Sequence, residues 1–322
     1  MGHSRDGWED RMIRINDLIL LLVIFCSIAV GIGLPEFADF FSPYPLTLLM
    51  LFLFLSFLRI EFVNALQEIR KTGSVLFVLC FLKLVALPVA LFWLARAVLP
   101  EYALPVLLLS GISTGVVAPF ISSLLNASTL QVLMMVVISS LLVPFTLPAL
   151  VKLLIGEALD ISFLAMAKTL AMLILLPALA AVLVRHQAPS FPKKVGRIHF
   201  PLSLVMFACI SLGIFGKYSS YFKQRPEKMA ETLLVAFVLS AVYHLVGFLV
   251  TWGRRREDRL AGAISLAYMN NVLVVVFSSQ FFGPLSPTLA AVYMLPFFAM
   301  IVPARIVGDR MREVRGGKGR LA

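Results

Sequence analysis

Charge is scarce in this sequence. Of its 322 residues, 14% are Asp, Glu, Lys or Arg and 60% are apolar, against roughly 25% charged in an ordinary soluble domain. A soluble fold of that composition would lack the polar side chains to cover its surface, so the soluble class is excluded. Acids are scarcest inside the apolar runs: Asp17, Glu101, Asp160 and Glu231 stand at the edges and none lies deep. Paired membrane aspartates are therefore missing, as is a Gly-x-Ser-Gly nucleophile motif, and with them the usual chemistries of an intramembrane hydrolase. No enzymatic activity is expected. Cysteine is limited to Cys26, Cys80 and Cys209, each within an apolar run and none in CxxC spacing. They read as small packing residues, and neither a metal centre nor a cofactor is expected.

What the chain does have is a series of apolar runs, near 17–34, 45–58, 73–95, 101–125, 129–155, 160–184, 200–216, 229–252, 259–282 and 285–307. Several are long enough to cross about 30 Å of hydrocarbon, or nearly so. Ten spans put both termini on one side. That side collects twenty Lys and Arg, from the N-terminus, the loop Arg59–Lys71, Arg185–Arg197, Arg254–Arg259 and the tail from Arg305. The other side holds six: Arg96, Lys152, Lys217, Lys223, Arg225 and Lys228. The positive-inside rule then places both termini in the cytoplasm, with a bacterial inner membrane as the expected location. The net charge of +11 would suit nucleic acid, but the basic residues are spread over short connecting segments. The expected partner is the lipid bilayer, with Arg310–Arg320 anchoring to anionic lipid, and no nucleic acid. The first apolar run follows a mixed-charge segment and is not closed by a small-residue cleavage site, so a retained first helix is expected rather than a signal peptide. Nothing in the sequence speaks to oligomeric state.

The connecting segments are too short for a soluble catalytic domain. The expected organisation is an N-terminal segment 1–16, five helices over 17–155, five more over 160–308, and a basic tail 309–322. Shifted by 152 residues, Ile112-Ser113-Thr114-Gly115-Val116-Val117-Ala118-Pro119 lines up with Ile264-Ser265-Leu266-Ala267-Tyr268-Met269-Asn270-Asn271. Five is an odd number, so the second half enters the membrane upside down. The expected fold is thus all-α, ten transmembrane helices in two inverted five-helix repeats.

Each of those segments carries groups that are costly in hydrocarbon unless they line a cavity or find partners. In the first, Ser113, Thr114 and Gly115 lead to Ala118 and Pro119, and Pro119 cannot donate to a helical carbonyl. In the second, Tyr268 is followed by the carboxamides Asn270 and Asn271, whose side chains diverge by about 100° on a regular helix. A Pro kink with interhelical hydrogen bonds accounts for both; so do broken, crossing helices lining a site, with half-helix N-termini presenting N–H groups to an anion. Lys83 is the sharpest single residue. It lies mid-span, where an ammonium costs roughly 2.5–3.5 kcal/mol on insertion scales. It should face the interior and meet a backbone carbonyl, the Asn pair or an anionic substrate. A lysine capping a broken helix is the plainer alternative. His244 is the other buried ionisable group, read as a hydrogen-bonded packing residue or, with Lys83, as a proton carrier.

These clusters carry a resemblance. Leu141-Leu142-Val143-Pro144 to Pro148 is similar to the leucine-rich, two-proline stretch of the bile acid:sodium symporter family, and Tyr268-Met269-Asn270-Asn271-Val272-Leu273 to its Gly-Met-Gln-Asn-x-Gly-Leu. The resemblance covers roughly 15–308. It implies broken helices four and nine that cross mid-membrane, a core domain (helices 3–5 and 8–10) moving against a panel (1, 2, 6, 7), and small organic anions as substrates.

Carried over by position, the family's sodium ligands are replaced. Its Ser-Asn pair in helix four falls on Ala118-Pro119, its two helix-five hydroxyls on Val132 and Val136, and its helix-nine Glu on Leu266. Its helix-three Gln falls on Lys83 and its helix-nine Gln on Asn270. The resemblance therefore implies an organic-anion carrier that has lost sodium coupling, with the Lys83 ammonium where a sodium ion would sit. A sodium symporter with altered sites, and a channel or sensor on a transporter fold, are the alternatives. The related arsenite carriers use a cysteine and an acid at the crossover; neither is present, although Cys80 lies one turn before Lys83.

Overall fold

The computed structural model describes residues 19, 22–58, 65–156 and 161–307. The expected segments 1–16 and 309–322, with the basic tail, lie outside the described residues, as do most of the loop after Leu58 and part of the first apolar run. The described chain is helical throughout, with one isolated β-bridge.

The order begins with α1 (Leu22–Gly33), α2 (Pro35–Asp39) and α3 (Pro45–Phe57). Next, α4 (Ala65–Phe81) runs through a π-helical turn, Leu82–Ala86, into α5 (Leu87–Val98). After the 3-10 turn Pro100–Tyr102 come α6 (Ala103–Gly111), α7 (Ala118–Leu124) and the long α8 (Thr129–Ile155). The chain continues with α9 (Phe163–Gln187), α10 (Phe191–Lys217), the short α11 (Ser219–Gln224) and α12 (Glu227–Val250). It closes with α13 (Arg256–Ala267), α14 (Asn271–Phe281), α15 (Leu285–Val292), α16 (Met294–Ala299) and helical residues 301–307.

Among the described residues, six helical stretches are long and apolar enough to cross a bilayer: Thr72–Val98, Thr129–Ile155, Phe163–Gln187, Phe200–Lys217, Glu227–Val250 and Leu285–Val307. Side chains such as Phe77, Leu153, Leu164 and Leu234, each at least 67% exposed, point outward from four of them. Hydrocarbon is the medium that such a surface requires, and the protein is a multi-pass membrane protein. The other expected runs are short or broken. α3 has 13 residues, about 20 Å at 1.5 Å per residue. The runs at 101–125 and 259–282 are each interrupted, over 112–117 and 268–270. The interruptions differ in length, so the shift of 152 residues does not superpose them residue by residue.

Proline and glycine explain the irregularities that matter. Pro88 has no N–H for the carbonyl four residues back. The helix absorbs this just upstream by a wider turn, with the Leu87 N–H donating to Leu82 O, five residues back. Lys83 sits inside that π turn. Pro119 occupies the opening of α7, where no donor is required, so it starts a half-helix instead of kinking one. Pro144 and Pro148, by contrast, lie within an unbroken α8. Gly247 and Gly262 let α12 and α13 touch backbone to backbone: a Cβ on Gly247 would lie 2.4 Å from Gly262 O.

Candidate functional site

The two interruptions meet. The Gly115 N–H donates to Tyr268 O (2.8 Å) and the Asn270 N–H donates to Ser113 O (3.0 Å), the antiparallel bridge pairing Thr114 with Met269. Only glycine fits at 115, since a Cβ there would stand 2.6 Å from Met269 O. Ser113, Thr114 and Tyr268 are wholly buried, and Ala118 and Pro119 begin the half-helix just beyond. Of the residues expected at a crossover, the structure thus brings Ser113, Thr114, Gly115, Tyr268, Asn270 and Asn271 into one place.

The second interruption leaves four carbonyls at the end of α13 without partners inside the helix. Each has a donor from a different source. Ile264 O accepts from the Tyr268 N–H (3.0 Å) and Ser265 O from Thr114 Oγ1 (2.8 Å). Leu266 O accepts from Lys83 Nζ (3.1 Å) and Ala267 O from the Tyr293 hydroxyl (2.8 Å). A helix C-terminus carries partial negative charge, so the Lys83 ammonium complements it electrostatically as well as by hydrogen bonding. Lys83 is 1% exposed and also lies 5.8 Å from the centre of the Tyr243 ring, whose hydroxyl pairs with Ser110 Oγ at 2.7 Å. Of the three partners expected for Lys83, a backbone carbonyl is the one observed.

Several N–H groups at the first break have partners within the protein. The Thr114 N–H donates to Ser139 Oγ (3.0 Å), Ala118 to Gly115 O (2.9 Å), and Phe120 and Ile121 both to Val117 O. On the other side Asn270 is not inside a helix at all. It is the N-cap of α14, accepting weakly on its own side chain from the Leu273 N–H (3.4 Å). Asn271 follows as the first helical residue, and its buried amide finds no hydrogen bond among the described residues at either end. Ser113 Oγ and Ser265 Oγ are likewise buried and unpartnered there. His244 approaches the site from behind: its Nδ1 is 2.7 Å from Ser240 O and its ring packs edge-on against Tyr268, while Nε2 is buried with no hydrogen-bond partner among the described residues.

Ser110, which opens the first polar cluster of the sequence, completes this centre together with Ser139, Tyr243 and Tyr293, and those three were not singled out from the sequence. The usable signal was their hydroxyls, since a hydroxyl mid-span must find a partner across helices. Cys80 has its thiol 3.4 Å from Met135 Sδ, a packing contact beside the lysine turn.

A sodium ion needs several oxygens and usually a carboxylate. At the positions expected to hold it, Ala118, Val132, Val136 and Leu266 are buried and supply no side-chain oxygen. Thr114 Oγ1 and Ser139 Oγ are already committed to hydrogen bonds. The residues present therefore do not fit a sodium site of that kind.

No curated protein matches the sequence. The model of the Sodium Bile acid symporter family matches residues 45–225, more than half of the chain. That stretch includes the Lys83 turn, the first interruption and the two-proline α8. The chain belongs to the sodium bile acid symporter family.

Proposed function

We propose that the protein is a secondary carrier of small organic anions, working by alternating access and without sodium coupling. In this reading the chain crosses the membrane ten times as two inverted halves, 17–155 and 160–308, with both termini in the cytoplasm of a bacterial cell. The observation that carries the reading is the contact of the Lys83 ammonium with Leu266 O at the negative end of α13. A fixed cation there holds together a crossing that other members would hold with a mobile one, and no carboxylate is needed beside it. Ser113 Oγ, Ser265 Oγ and the Asn271 amide keep unmet hydrogen-bonding capacity and are the groups for the substrate when the site opens. Lys83, Thr114, Gly115, Ala118, Pro119, Tyr268 and Asn270 shape the crossover around it.

The test is uptake into proteoliposomes, guided by a thermal-shift screen of organic anions, in which stabilisation grows with ligand concentration over the dissociation constant. Saturable uptake with counter-transport, equal in sodium and choline media and abolished in Lys83→Gln, is the expected result. Uptake that collapses in choline would instead mean a sodium symporter with altered sites, and ohmic conductance would mean a channel. The buried, unpartnered His244 Nε2 favours one variation, in which Lys83 or His244 carries a proton with the substrate. Uptake driven by an imposed pH gradient, and lost in His244→Gln, would establish it.

A further inference from the structure

Away from the crossover, a half-open cavity of about 270 Å³ lies between α1, α10, α12 and the last helices. Its walls are almost wholly hydrocarbon, among them Ile32, Phe215, Met229, Leu233 and Val292. Three of those walls run into a lysine at the same end. Gly33 follows Ile32, and its carbonyl accepts from Lys223 Nζ at 3.5 Å. Lys217 closes α10 two residues after Phe215, and Lys228 precedes Met229. Ser219 Oγ, donating to Ile32 O at 2.5 Å, holds α11 and its lysine against α1.

The three lysines are not equivalent. Lys228 is held between Glu101 and Glu231. Lys217 and Lys223 are exposed, and within the described residues neither lies within ion-pair distance of a carboxylate. Lys217 rests over the Tyr218 ring, and Arg225 beyond it over the Tyr221 ring. Glu36 and Asp39 stand on α2, which packs against the end of α10 through Ala38 and Gly216. They set a local limit on how much anionic charge the rim can take. The pattern is an apolar slot with two exposed ammonium groups at its mouth that meet no carboxylate among the described residues. A hydrocarbon chain in such a slot gains dispersion contacts with its lining, while lysines near a membrane surface attract anionic headgroups.

We propose that this cavity is a binding site for one anionic phospholipid, its acyl chain filling the slot and its phosphate held by Lys223 and Lys217. The slot contains none of the crossover residues, but α1 and α10 on one side and α12, α15 and α16 on the other belong to the two parts that move against each other in the proposed function.

The test is native mass spectrometry of the full-length protein after delipidation and titration with phosphatidylglycerol or phosphatidylcholine of identical chains. The wild type should retain a single phosphatidylglycerol, about fivefold or more over phosphatidylcholine, as expected of an electrostatic rim. Ala29 also lines the slot, so Ala29→Trp, which fills it, and the double variant Lys217→Glu/Lys223→Glu should each remove that preference. Leu153→Trp, on the outward face of α8, should keep it. Equal retention of the two lipids, displacement by a free fatty acid alone, or unchanged retention in the double variant would overturn the proposal. Thermal midpoints identify a misfolded variant; if Ala29→Trp misfolds, the lipid comparison on the wild type and the charge variant decides.

Discussion

The two interrupted helices solve opposite halves of one problem. The first break has spare donors, the N–H groups of Thr114, Gly115 and Ala118, and it meets them with Ser139 Oγ, Tyr268 O and Gly115 O. The second break has spare acceptors, the carbonyls from Ile264 to Ala267, and it meets them with an amide, a hydroxyl, an ammonium and a phenol. Exposed N–H groups attract anions and exposed carbonyls attract cations. Among the described residues, the one deeply buried lysine, Lys83, stands at the carbonyl end. A crossing built this way carries its own cation, and the donors named at the first break are met from within the protein.

Four substitutions would break or sharpen that contrast. The largest effect is expected for Gly115→Val, because the added side chain would push directly against Met269 O. Overpacking of this kind costs about 3 kcal/mol, read as a fall in the thermal midpoint of the purified protein. A midpoint close to wild type would mean that the bridge between the breaks is not a fixed contact. Ser139→Ala comes next. It strands the buried Thr114 N–H, at about 2 kcal/mol for an unsatisfied donor, and faster hydrogen exchange at Thr114 would locate the damage on the donor side. The smallest effect belongs to the caps. Asn270→Ala removes a long side-chain contact to the Leu273 N–H, for about 1 kcal/mol, whereas Pro119→Ala should change the midpoint less still. If Pro119→Ala proved the costlier of the two, the first half-helix would depend on its proline more than the geometry implies.

Sequence reasoning reached the places in this site but not the pairings. The depth of Lys83 was legible because an ammonium mid-span is expensive and must have a partner. Its partner was not, because Leu266 O is a main-chain atom and leaves no mark in side-chain chemistry. The paired asparagines were visible as polar groups at membrane depth and at a candidate break, but their sequence does not tell on which side of the break each one falls. Asn270 is in fact a cap and Asn271 the first turn beyond it. Pro119 was seen as a breaker, correctly, but Pro88 was passed over, and it is Pro88 that accompanies the π turn presenting Lys83. Ser139 and Tyr293 looked like ordinary residues in apolar runs; only the third dimension shows that they stand opposite unpaired backbone.

The main-chain partner of Lys83 has an evolutionary corollary. Ion pairs between side chains tie two codons together, so that neither can drift without the other. A lysine that answers to a carbonyl oxygen has no second codon to coordinate with, because every residue type at position 266 offers the same atom. The fixed charge could therefore have been acquired, and could be surrendered, in a single mutational step at position 83.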